Sequence, residues 1–160
     1  MASVNYQTRR DEIETYFDRT AADAWAALTS DAPVSRVRQT VRRGRDAMRE
    51  TLMGWLPEDL TGSTLIDAGC GTGTLAIEAA QRGAEVVAVD LSPTLVNLAR
   101  ERLRDLNQTL DVTFLVGDMR DMDLGSFDYA VAMDSLIHYD VADGVQTLKT
   151  MAEQIHRKMV

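Results

Sequence analysis

Residues 65–92 read LIDAGCGTGTLAIEAAQRGAEVVAVDLS. An apolar run ends in Asp67, glycines follow at 69, 71 and 73, and after a stretch of helical composition a second apolar run ends in Asp90. Short, continuous apolar runs of this kind fit strands buried on both faces of a parallel sheet. The stretch is therefore a strand, turn, helix and strand in succession, and ligands of such a unit sit in the crevice beyond the carboxyl ends of the strands. Glycines there let the backbone approach a ligand closely. Asp90, seventeen residues after Gly73, is placed to accept both hydroxyls of a ribose.

The same pattern continues outward. TLIDA (64–68), EVVAVD (85–90), VTFLVGD (112–118) and FDYAVAMD (127–134) are predicted strands, with predicted helices over 75–82 and 93–106. Pro93 suits a first helical turn, where its missing N–H is of no consequence. Upstream, Ile13, Tyr16, Phe17, Ala21, Ala24, Trp25 and Leu28 give helical spacing over 9–29. Val37, Val41, Met48, Leu52 and Trp55 do the same over 34–56, between Pro33 and Pro57. A helix over 141–155 leads into Arg157-Lys158-Met159-Val160, the approach to a fifth strand that does not arrive. The expectation is an α/β, Rossmann-like, doubly wound fold of four strands that lacks C-terminal strands and so reads as a piece of a longer protein. A helical cap or lid occupies 1–60 and the ligand-binding α/β core 61–160.

The 160 residues fit one cored domain, and the net charge of −8 argues against nucleic acid as a partner. The acidity is uneven. Arg36, Arg38, Arg42, Arg43, Arg45 and Arg49 crowd into fourteen positions, a basic arm suited to an anionic ligand or membrane headgroups, or else a solvated helix face. Cys70 is the only cysteine, which excludes an intrachain disulfide and a thiol-only metal site and fits a reducing compartment. No metal is expected at the site. The segment MASVNYQTRRDEIE lacks the apolar core of a signal peptide, and no apolar run approaches the ~20 residues of a membrane span. A cytoplasmic protein, soluble or peripherally attached to a membrane, is expected.

Two ligand classes compete for the glycine turn. Gly71-Thr72-Gly73-Thr74-Leu75-Ala76 meets a relaxed dinucleotide fingerprint, but Asp67 at the mouth of the loop repels a pyrophosphate. It attracts an ammonium or sulfonium, and S-adenosylmethionine carries both. At the end of the third predicted strand, Asp118 is suited to accept the exocyclic amine of adenine and Met119 to lie on its face, next to Gly117. Each residue alone has an ordinary structural explanation as cap, turn or core. Their arrival at successive strand ends favours S-adenosylmethionine.

DAGCGTG (67–73), Asp90, Gly117-Asp118 and AMDSLIHY (132–139) resemble the class I S-adenosylmethionine-dependent methyltransferases. With YFDRTAADAW (16–25) and VRQTVRRGRD (37–46), the chain is more narrowly similar to the magnesium-protoporphyrin IX O-methyltransferase family of chlorophyll and bacteriochlorophyll biosynthesis. The resemblance implies methyl transfer to a ring propionate. It also implies a cofactor held by Asp67, Ala68, Gly69, Cys70, Gly71, Gly73, Asp90, Leu91, Ser92, Gly117, Asp118, Met119, Met133, Asp134 and Ser135. The first helix becomes a lid that brings Tyr16 and Phe17 to the cofactor, with core packing as the competing account. Magnesium-protoporphyrin IX becomes the substrate, and a subunit of the magnesium chelatase a candidate partner. Members of the family continue through further strands.

A propionate ionises near pH 4.3 and needs no strong base, so alignment and exclusion of water carry the reaction. His138, just past the fourth predicted strand, is the candidate to orient the acceptor carboxylate, and Tyr16 to donate a hydrogen bond near the reacting groups. Arg38 is the arm residue expected to grip a carboxylate of cofactor or acceptor. His156 is read as surface of the last helix. The rivals are a cofactor-binding module without catalysis, a methyltransferase of another small acceptor and, least compatible with Asp67, a nucleotide-dependent oxidoreductase.

Overall fold

In a computed structural model, residues 4–120 and 124–160 are described. Five parallel strands form one sheet in the order β3-β2-β1-β4-β5: β1 Thr64–Ala68, β2 Glu85–Asp90, β3 Val112–Val116, β4 Phe127–Val131 and β5 Ile155–Met159. The chain winds from β1 outward through α4 (Thr74–Gln81) and α5 (Pro93–Asp105) to β3, then returns to place β4 on the other side of β1. That reversal opens a crevice between the carboxyl ends of β1 and β4, the place where such sheets bind ligands. Leu65, Val86, Ala88, Val96, Ala99, Phe114 and Val131 fill one buried cluster, and Ile66, Ala68, Phe127, Ala130 and Met151 the other.

The fifth strand corrects the four-strand expectation. IHRKM carries His156, Arg157 and Lys158 in place of an apolar run, and three of its five residues are exposed. It pairs in parallel with β4 through Phe127↔Ile155 and Ala130↔Met159, and His156 stands on this strand, not on helix α6 (Val141–Gln154).

The cap also differs from two simple helices. α1 (Val4–Thr15) passes into a π-helical turn over Tyr16–Thr20, and α2 (Ala22–Leu28) follows before α3 (Arg36–Gly54). The turn has a visible cause: Asp18 projects from it onto the N-terminus of α5. Asp18 Oδ1 accepts the Thr94 N–H at 2.9 Å and the Ser92 hydroxyl at 3.0 Å, while Ser92 Oγ itself caps the Leu95 N–H. The carbonyl end of α2 is tied down by arginines. Arg42 donates to the carbonyls of Ala27, Leu28 and Ala32, and Arg102 to that of Ala26 and to Thr29 Oγ1. Of the apolar stripe read over 34–56, only Leu52 packs against the core. Val37 is 75% exposed, and Val41, Met48 and Trp55 are also exposed, while Met53 is buried.

Hydrogen bonds from Thr94 hold Asp18 below the usual carboxylate range. Its contribution to docking the cap is present above the ordinary carboxyl pKa and disappears as pH falls through its lower folded value. Asp18→Ala is expected to lose about 1 kcal/mol at pH 7, with the difference from the wild type narrowing as pH falls below the ordinary carboxyl range. Urea unfolding followed by tryptophan fluorescence across that pH range measures this.

Candidate functional site

The glycine turn is built by backbone bonds to β2. Gly69 and Cys70 N–H groups donate to the Val89 carbonyl at 2.8 and 3.0 Å, and the Gly71 N–H donates to Asp90 Oδ2 at 2.8 Å. Asp90 Oδ1 accepts the Ser92 N–H at 2.9 Å, so this carboxylate joins both loops. Two glycines are sterically required. At Gly69 (φ +84) a Cβ would stand 2.3 Å from Ser135 Cβ, and at Gly73 (φ +78) 2.8 Å from Ala99 Cβ and the Phe114 ring. Gly71 (φ +52) instead faces open space.

A cavity of about 340 Å³ lies between this turn and the cap. Asp67, Gly69, Cys70, Gly71, Asp90, Leu91, Gly117, Met119, Met133, Asp134, Ser135 and His138 line it from the sheet side, and Phe17 from the lid. Of the sequence-predicted residues, six lie off its wall. Ala68 is buried in the core, Gly73 packs against Ala99 and Phe114, and Ser92 caps α5. Tyr16 is 52% exposed, its ring edge-on to Phe17 at 5.1 Å. Arg38 is exposed, its backbone N–H capped by Ser35. Asp118 turns its carboxylate to the Tyr6 hydroxyl.

In place of Arg38, the arm delivers Arg42, Arg45 and Arg49 to the cavity wall. Arg45 forms an ion pair with Asp134, and its guanidinium lies 4.1 Å from the centre of the Trp25 ring. Burial pulls the Arg45 pKa down and Asp134 opposes the shift. Trp25, Ile13 and Leu28, read in the sequence as helix packing, supply apolar wall. The periodicity of the cap could not separate Arg45 from Arg38, because the apolar stripe on α3 is exposed except at Leu52.

Electrostatically the site is built around acids. Asp67 is 2% exposed, its Oδ2 has no hydrogen-bond partner, and burial followed by the nearby Asp90 pushes its pKa up to about 7. Burial also raises Asp90, against the N–H groups of Ser92 and Gly71 that favour its charge. His138 is held below its ordinary value, chiefly by burial, and is neutral at pH 7. Its ring meets Phe17 edge-on at 4.9 Å, and its carbonyl accepts the Arg9 Nε–H at 2.9 Å. Among the described residues, no group of His, Cys, Asp and Glu is arranged to hold a metal ion.

Comparison with known proteins places this geometry. The family model described as a methyltransferase domain matches residues 65–157. A magnesium-protoporphyrin O-methyltransferase of Rhodobacter capsulatus is 52% identical over 98% of this chain, which covers 70% of that relative. The chain belongs to the magnesium-protoporphyrin O-methyltransferase family. A Synechocystis relative of the same name is 30% identical over 92% of the chain and is covered to 65%, and the chloroplastic Arabidopsis thaliana enzyme, 34% identical, to 48%. The crystal structure of magnesium protoporphyrin IX methyltransferase from Synechocystis with bound SAM has a TM-score of 0.89 at 28% identity, covering 94% of this chain and 74% of that one. The family's cofactor is S-adenosylmethionine, and the site fits it: an unpartnered buried carboxylate answers its cationic end, and the Gly71 backbone leaves room at the wall.

Because Asp67 titrates near 7 when folded and near the ordinary carboxyl value when unfolded, the folded state holds this proton more tightly. Stability is therefore lost as pH rises across that interval and levels off above about 7. Asp67→Asn is expected to reduce this loss, which thermal unfolding of both proteins between pH 5 and 8.5 detects.

Proposed function

We propose that this chain holds the cofactor half of an enzyme that transfers the methyl group of S-adenosylmethionine to a propionate carboxylate of magnesium-protoporphyrin IX. The observation that carries this reading is the single cavity in which Asp67, Asp90, Met119 and His138 meet beneath the cap. Bound there, the cofactor supplies an electrophilic sulfonium methyl. Asp67 faces its ammonium or sulfonium end, Asp90 its ribose, and Met119 with Asp118 its adenine.

Arg45 replaces Arg38 as the residue for a carboxylate, since its planar fork already holds that of Asp134 at the cavity wall. His138 lines the same cavity, where its ring can contact and orient an acceptor carboxylate that is already ionised. A cavity of about 340 Å³ is of the size that takes one drug-sized ligand. A macrocyclic acceptor must then lie at its mouth, where Phe17 excludes water and the exposed phenol of Tyr16 stands beside it.

The first turns of α3 are exposed all round and carry Arg36, Val37, Arg38, Val41 and Arg43. This mixture of cation and apolar surface fits peripheral contact with an anionic membrane or docking of a chelatase subunit. No described helix is long and apolar enough to cross a membrane.

Calorimetric titration with S-adenosylhomocysteine tests the cofactor assignment. The wild-type chain is expected to bind, and Asp90→Ala to bind about 10- to 100-fold more weakly, the worth of charged hydrogen bonds lost. A folded wild type that does not bind overturns the reading. In the whole protein, His138→Ala is expected to lower kcat about tenfold or more while leaving S-adenosylhomocysteine affinity unchanged. An unchanged kcat removes His138 from the acceptor site.

A further inference from the structure

One side chain of the N-terminal helix is out of keeping with its surroundings. Tyr6 is fully buried, while Asn5, Gln7, Thr8 and Arg9 are exposed. Its ring is held on its faces by the Arg120 guanidinium, 3.9 Å from the ring centre, and by Tyr139, stacked at 5.7 Å and 15°. Arg120 is itself fixed by Asp143 at 3.1 Å. The hydroxyl lies 2.8 and 2.7 Å from the two oxygens of Asp118, which is 4% exposed.

Asp118 has further neighbours. The Arg120 N–H donates to Oδ1 at 3.0 Å, and Arg10 Nε lies 3.4 Å from Oδ2 as an ion pair, without the alignment of a hydrogen bond. A carboxylate has about four acceptor positions, and a phenol O–H donates to one oxygen at a time. Tyr6 and Arg120 therefore fix the plane of the carboxylate yet leave it with acceptor capacity. The residues on either side of Asp118, Gly117 and Met119, form the cavity wall. Asp118 itself lies next to that wall in sequence, with its carboxylate on the Tyr6 side.

We propose that Tyr6 is a positioning residue for the adenine of the cofactor: acting through Asp118, its hydroxyl holds the carboxylate in the orientation that accepts the 6-amino group. This rests on reading Asp118 as the acceptor of that amine. Cofactor binding and docking of α1 then support one another, since both are made on one buried acid. A cap that loosens costs adenine its acceptor, and an empty adenine site leaves α1 with one fewer reason to stay.

The test compares S-adenosylhomocysteine with S-inosylhomocysteine, in which a ring carbonyl replaces the amine, by calorimetry on the wild type, Tyr6→Phe and Asp118→Asn. Tyr6→Phe keeps the ring and its stacking. The wild type is expected to prefer the amine about tenfold or more, in line with a hydrogen bond to a charged group. Asp118→Asn, which offers an amide N–H to the carbonyl, is expected to erase or reverse that preference. Tyr6→Phe is expected to reduce it to less than about threefold, with affinity for the inosine compound little changed. A wild type with no preference, or an Asp118→Asn variant that keeps it, overturns the reading of Asp118 and the proposal with it. A preference that depends on Asp118 but survives intact in Tyr6→Phe overturns the role of Tyr6 alone. An equal loss for both ligands in Tyr6→Phe assigns it a packing role instead.

Discussion

Asp67 is a carboxylate taken out of water at the end of a central strand, with one oxygen unpartnered and a second acid at the end of the neighbouring strand. Burial of such a group is unfavourable unless something compensates it. The two acids are treated differently by the fold. Asp90 spends one oxygen on the Gly71 N–H and the other on the Ser92 N–H, and so shapes both loops that flank the cavity. Asp67 shapes nothing comparable and waits on a proton or a cation. One acid is satisfied and ties the loops together, and the other keeps an oxygen without a partner at the cavity wall.

The cap is joined to this sheet in another way. Only Tyr6 and Ala21 are buried among the described apolar residues of its first two helices, and the attachments are polar: Asp18 to the start of α5, Arg42 and Arg102 to the end of α2, Arg9 to the His138 carbonyl. An element with little buried apolar surface opens at a lower cost than a core strand. Phe17 and Trp25 thus cover the cavity from the cap, while Asp67, Asp90 and Met119 line it from the sheet.

The sheet side of the site was legible because burial leaves its mark on sequence. TLIDA, EVVAVD and FDYAV are continuous apolar runs, and Asp67 and Asp90, at or next to the ends of the first two, line the cavity. β5 escaped because a strand at the end of the sheet carries His156, Arg157 and Lys158 instead of such a run. The cap was legible as helix but not as geometry. Its π turn answers to Asp18 and α5, a contact across 76 positions that no local period encodes. Val37, Val41, Met48 and Trp55 repeat like a core face yet are exposed, so the stripe pointed away from the wall that Arg45 and Arg49 occupy. Tyr6 gave no signal beyond being a tyrosine amid polar neighbours.

Arg45 shows how the two parts are coupled. Its partner Asp134 is a non-glycine residue at φ +58, a left-handed conformation with a cost that its surroundings must offset. The ion pair with Arg45, and the Trp25 ring stacked on the same guanidinium, are the contacts available to do so. A buried guanidinium cannot be left alone, because an unpaired charge there costs far more than the pair is worth. A ligand carboxylate arriving at Arg45 is therefore an exchange: it either joins Asp134 on the fork or displaces it, and the guanidinium stays compensated throughout. Displacement frees the loop after β4, which carries Ser135 and His138, from its tie to α3.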